Sequence, residues 1–87
     1  MTPDELKKRT KKFSLDIIRL VESLPNNKIG NILGKQLMRS ATSVGANYRS
    51  ACRARSKADF ISKIQIVEEE ADESMYWLEM IQELKIV

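Results

Sequence analysis

The chain has no histidine and a single cysteine among its 87 residues. Without histidine, Ser-His and Cys-His nucleophile activation are excluded, as are the Glu-x-x-His ligands of bundle di-iron sites. Cys52 alone cannot close an internal disulfide, so nothing in the thiol chemistry points to secretion. Two prolines and three glycines leave no room for a collagen-like, Pro-rich or Gly/Ser-rich class. Only Pro3 and Pro25 could interrupt a helix, and β-branched residues are scattered rather than alternating, so the all-α class follows almost by elimination. No apolar run reaches the roughly 18 residues that a membrane span needs, and the charged start from Asp4 to Lys12 has no apolar signal segment behind it. A cytoplasmic protein with no membrane association is expected. What is present, 43% hydrophobic and 31% charged residues, suffices for one core and is too little for two domains.

The formal net charge of +3 conceals a lopsided distribution. Residues 1–57 hold 13 Lys or Arg against 4 Asp or Glu, whereas residues 58–87 hold 2 against 8. Such a dipole along the sequence can serve an external polyanion, or it can be satisfied internally by pairing a basic helix with an acidic one.

Three helices are expected, over about 4–24, 28–54 and 57–85, within a single domain spanning 1–87. Thr2-Pro3-Asp4-Glu5 offers a capping hydroxyl, a proline for the first turn and two acids at the positive helix end. The stripe of the first helix is Leu6, Phe13, Ile17, Leu20 and Leu24, and Pro25-Asn26-Asn27 is a turn whose Asn26 or Asn27 caps the next helix. The buried line of the second helix reads Ile29, Ile32, Leu33, Leu37, Ser40, Ala41, Val44, Tyr48 and Ala51. Its small residues cost helix propensity, roughly 0.8 to 1 kcal/mol for each Gly relative to Ala, which close helix approach would offset. Ser56, with Asp59 three residues on, starts the third helix. That helix carries two stripes: Phe60, Ile64, Val67, Ala71, Ser74, Leu78 and Ile81, and beside it Ile66, Glu73, Trp77, Met80 and Leu84. Rods of this length leave a groove where a fourth helix would lie, and Leu84, Ile86 and Val87 stop without Gly, Asn or Pro, as if cut or docked onto something else.

Chemistry-bearing clusters are few. Cys52 near Arg49 and Arg53 could favour thiolate, but a lone helical cysteine is far more often a small core filler. Glu69-Glu70-Ala71-Asp72-Glu73 fits half of the magnesium site of all-α nucleotide pyrophosphohydrolases, placing Glu69 or Glu70 beside Glu73. The required Glu-x-x-Asp half on a later helix is missing, and a solvated face bridged to the basic second helix is the stronger reading. No metal, cofactor or enzymatic activity is expected. If the second and third helices turn back near residues 54–58, positions summing to about 112 lie side by side by helical geometry, which sets Arg39 opposite Glu73 and near Glu69 or Glu70 as a structural ion pair. The remaining cations, among them Lys7, Lys8, Lys11, Lys12 and Arg19, then Lys35, Arg49, Arg53, Arg55 and Lys57, could track phosphates without reading bases. Only Tyr48 is placed to stack on a base, so single-strand recognition is poorly supported.

The run Gln36-Leu37-Met38-Arg39-Ser40-Ala41-Thr42-Ser43-Val44-Gly45-Ala46-Asn47-Tyr48-Arg49, continuing through Arg53 to Ile61, resembles the four helix bundle family that includes the 23S rRNA intervening-sequence proteins. Phe13, Pro25, the Arg39-Ser40-Ala41 and Ser43-Val44-x-x-Asn47 block, Phe60, and Glu68 to Glu73 before Trp77-Leu78 stand in that family's order. The resemblance implies a left-handed up-and-down antiparallel bundle, here three helices of a four-helix architecture, commonly assembled as a ring of five, with no established enzymatic activity. A related branch, the accessory variability determinants of diversity-generating retroelements, forms basic barrels that bind nucleic acid and a reverse transcriptase. Carried over, this makes Lys8, Lys11, Lys12, Arg49, Arg53 and Arg55 the candidate contacts to RNA or DNA. The sequence departs from the family in ending before a fourth helix and in having Tyr48-Arg49-Ser50 where many members carry an Ile-Ala-Glu-Gly-like run. The expectation is a homo-oligomer, pentameric by resemblance, that associates through the Ile66, Trp77, Met80 and Leu84 face. The alternative is a protein-binding adaptor or scaffold with no nucleic-acid binding.

Overall fold

A computed structural model describes residues 1–87 as three α-helices: α1 (Pro3–Glu22), α2 (Lys28–Ala51) and α3 (Lys57–Glu83). They stack up, down and up into a rod of 44 × 20 × 17 Å. α2 is the shared wall. Both neighbours lean on it, while no Cα of α1 comes within 8 Å of one in α3, so the outer two helices stand diagonally apart. Their side chains still meet at one level, where Ile17 of α1 and Ile81 of α3 close over Leu33, Leu37 and Ala41 of α2.

Each helix begins with a side-chain cap. The Thr2 hydroxyl accepts the Glu5 N–H at 3.1 Å, Asn27 Oδ1 the Gly30 N–H at 2.9 Å, and Ser56 Oγ the Asp59 N–H at 3.0 Å. Asp59 reaches back to the Arg55 N–H at 3.2 Å, one residue beyond the N-cap N–H that a capping box would engage. All three helices stop two or three residues earlier than the sequence pattern extends. α1 ends at Glu22 because Ser23 caps it with an N–H bond to Leu20 O, and because the residue before a proline avoids the α region. α2 ends at Ala51, where Arg53 and Ala54 tighten into three-residue turns onto Ser50 and Ala51. α3 ends at Glu83 by a device the sequence hid. Lys85 adopts φ 56°, its N–H bonds Gln82 O and the Ile86 N–H bonds Ile81 O, while the Ile86 side chain packs on the core beside Ile81. This is a Schellman stop with a lysine where glycine is usual.

Burial follows a narrower arc than the stripes suggested. Leu37, Ser40 and Ala41 are fully enclosed in α2, and Ser74 and Ile81 in α3. Ile29 and Ile32, which the pattern placed in the core, are instead half exposed, and so is Phe60. At about 100° per residue Ile32 stands about 100° away from Leu33, whereas Ile29 shares the Leu33–Leu37 ridge but lies in the first turn of α2, where the neighbouring helices leave it open.

Candidate nucleic-acid interface

The up-down-up path gathers cations that are far apart in sequence. The first half of α1 brings Lys7, Lys8, Arg9, Lys11 and Lys12, the end of α2 and its turn bring Arg49, Arg53 and Arg55, and α3 starts with Lys57. All lie toward one end of the rod, and α1 and α3 add their positive helix ends there. The acids Glu68, Glu69, Asp72, Glu79 and Glu83 run down the remainder of α3. The sequence dipole thus becomes a spatial one, with a basic pole and an acidic flank.

Pairing separates these cations into two groups. Lys12 sits 2.8 Å from Asp16, which Arg19 also approaches at 3.3 Å, so Lys12, a candidate contact by sequence, is engaged within its own helix. The Lys12 bond holds the Asp16 carboxyl below its usual range. Lys63 bonds Asp59, whose pKa is lowered first by the Arg55 backbone N–H and then by Lys63. Lys8, Lys11, Arg49, Arg53 and Arg55 make no ion pair and stand exposed. Lys7, one of the cations of the first helix able to track phosphates but not one of the six candidate contacts, joins Lys8, Lys11 and Arg49 around one recess in the α1–α2 seam. Its spacing of four from Lys11 was the available signal. Gly45 and Ala46 open the recess.

Arg39 belongs to a different structure. Its guanidinium bonds Glu73 directly and lies 3.4 Å from Glu70, and the Trp77 Nε1–H donates to Glu73 at 3.0 Å. The Trp77 bond, then Arg39, depresses the Glu73 carboxyl pKa below 4.5, and the Glu73 bond raises that of Arg39. One layer inward, Ser74 Oγ lies 3.0 Å from Ser40 Oγ and 2.8 Å from the Glu70 carbonyl, while Ser40 gives its proton to Leu37 O. These groups lock the register of α2 on α3. Because the folded Glu73 carboxyl is more acidic than the unfolded one, its stabilisation is complete above pH 4.5 and is lost as pH falls through the folded value. Glu73→Gln is therefore expected to lower stability at neutral pH and to flatten the acid limb, as read by urea unfolding at both pH extremes.

Seven residues beyond Arg39 and Glu73 in each helix, Ile32 and Met80 come side by side on the same outer surface. Ile29 and Leu84 continue the patch; Ile29, Ile32 and Leu84 are each about half exposed. Ile66 lies on this face of α3 above the ion pair and is exposed, whereas Trp77 and Met80 are half buried, Trp77 because its ring packs on the core. Trp77 is therefore a less open interface residue than its stripe suggested. Tyr76 meets it edge-on at 5.1 Å between ring centroids.

The other candidates are dispersed. Cys52 caps α2 half buried beside Tyr48, whose phenol pKa is raised by burial and then by the thiol. No three His, Cys, Asp or Glu side chains gather as a metal site, and Glu70 and Glu73 are turned onto Arg39. No helix is long and apolar enough to cross a membrane.

Comparison with known proteins bears on the whole chain. The family model described as "23S rRNA-intervening sequence protein" matches residues 4–87. The chain is also similar to a crystal structure of a protein of unknown function from the S23 ribosomal protein family of Bacteroides thetaiotaomicron. The two are 38% identical and superpose with a TM-score of 0.91 over 100% of this chain and 78% of that one. Comparison with curated proteins gives no match.

Proposed function

Because the chain belongs to the 23S rRNA-intervening sequence protein family, we propose that it is a non-enzymatic helical-bundle subunit that self-assembles and binds RNA or DNA through its basic pole. The observation that carries the nucleic-acid half is the contrast in pairing. Lys12, Arg19, Arg39 and Lys63 each have a carboxylate partner, whereas Lys8, Lys11, Arg49, Arg53 and Arg55 gather at the pole on exposed side chains without one. A surface of this kind chiefly contacts phosphates, since Tyr48 is buried, the aromatic pair Tyr76 and Trp77 lies on the other half of the rod, and the half-exposed Phe60 alone offers a ring near the pole. Assembly is supported by the outer patch of Ile29, Ile32 and Leu84, each about half exposed, beside the half-buried Met80.

Titration of labelled duplex DNA and RNA over a salt series tests the first half. Affinity is expected to fall steeply with salt and to vary little with base sequence. No binding at low salt, or binding with no salt slope, would remove it and leave the scaffold reading. Light scattering tests the second half: a multimer is expected, and a monomer with a cooperative melt would count against assembly.

A further inference from the structure

Four cations converge on one short stretch of the α1–α2 seam. Lys7 and Lys11 stand one turn apart on α1 with Lys8 beside them, and Arg49 rises from α2. Between them Gly45 and Ala46 carry nothing larger than a methyl group, which leaves a recess of about 360 Å³ with no carboxylate in its lining. Thr10 and Ser14 complete the wall. Thr10 directs its hydroxyl proton at the Leu6 and Lys7 carbonyls, and Ser14 directs its own at those of Thr10 and Ala41. Any ligand is therefore held by the cations alone. Further along the helices cations do find partners: Lys12 and Arg19 share Asp16, and Arg39 has two glutamates. Here four like charges crowd together with no ion-pair partner and no carboxylate among the lining residues.

The geometry points to a phosphate seat. The recess holds one phosphate group between two helices, with the Arg49 guanidinium suited to two of its oxygens and the lysines supplying point charge. This rests on the polyanion reading and sharpens it, because affinity is then concentrated at the seam and not spread over the pole. The shared chemistry is a phosphate oxyanion, from a phosphodiester backbone or free in solution.

Two charge-matched variants test it. Ala46→Glu puts a carboxylate inside the recess, one turn from Arg49 and beside the lysines. Ala58→Glu puts the same charge at the same pole, outside the recess and favourably placed in the first turn of α3. Both alanines are exposed, so both variants are expected to fold. The probes are a short fluorescein-labelled DNA duplex, followed by anisotropy over a salt series, and inorganic phosphate, followed by the thermal midpoint against chloride at equal ionic strength. Ala46→Glu is expected to weaken duplex binding about tenfold and to reduce the salt slope by about one phosphate or more, and to abolish the phosphate-specific rise in midpoint. Ala58→Glu is expected to change either less than twofold. Equal losses in the two variants would overturn the seat while leaving the pole's binding of polyanions intact. A phosphate effect removed by Ala46→Glu, with no duplex binding, would keep the seat for a free phosphate and overturn the nucleic-acid reading. Wild-type protein insensitive to both probes would overturn both.

Discussion

Gly30→Ala is expected to destabilise the protein by about 3 kcal/mol, combining the usual cost of overpacking with loss of a helix cap. A methyl group at this position would overlap the Pro25 carbonyl oxygen and stand 3.2 Å from Asn27 Oδ1, the atom that caps α2 by accepting the Gly30 N–H. The obstruction is backbone held by a proline, so the chain can yield only by opening the α1–α2 turn. The other two glycines make the contrast. A methyl on Gly34 would meet Val21 Cγ1 at 3.0 Å and Leu24 Cδ1 at 3.3 Å, side-chain ends that can move. One on Gly45 would find its first neighbour, Thr10 O, at 3.4 Å, an ordinary contact. Gly45→Ala is accordingly expected to gain up to about 1 kcal/mol of helix propensity. Urea denaturation of the three alanine variants should rank Gly30→Ala far below Gly34→Ala and Gly45→Ala; equal midpoints would refute the close-approach account.

Removing three free cations from the basic pole gives the second large effect, this time on binding. In the triple variant Lys8→Gln, Lys11→Gln and Arg49→Gln the slope of log affinity against log salt is expected to shrink by about three, since each neutralised phosphate contributes roughly 0.9. At low salt the loss should reach about a hundredfold or more, as each contact ends its counterion release. Folding should be unharmed, because these side chains have no partner within the molecule and their mutual repulsion is relieved. Anisotropy titrations at several salt concentrations, with thermal melts of the same samples, read both quantities. An unchanged slope would show that the polyanion lies elsewhere.

Much of this architecture could be read from residue order because its signals are local. Thr2, Asn27 and Ser56 are cap residues followed at the right distance by helix, and Pro25 ends the first rod. The Arg39 contact with Glu73 also followed from counting, since a turn near residue 56 fixes which levels of α2 and α3 face each other. Where the pattern misled, the missing information was three-dimensional. Ile29 and Ile32 are as apolar as Leu33 and Leu37, and only the positions of α1 and α3 around α2 decide which pair is covered. Lys85 gives no hint in its chemistry of a left-handed backbone; Ile86 settling beside Ile81 compensates for that conformation. The phosphate recess needs the register of α1 on α2, and no charged pair like Arg39 and Glu73 announces it. It is outlined by small side chains and by the absence of acids, two features that sequence inspection readily assigns to packing.

The diagonal placement of α1 and α3 has a kinetic corollary. Since each docks on α2 and their backbones stay apart, residues 23–27 and 52–56 are the only loops that must close. With only short loops to close, each hairpin has little entropy to surrender before its contacts repay it, which favours rapid folding.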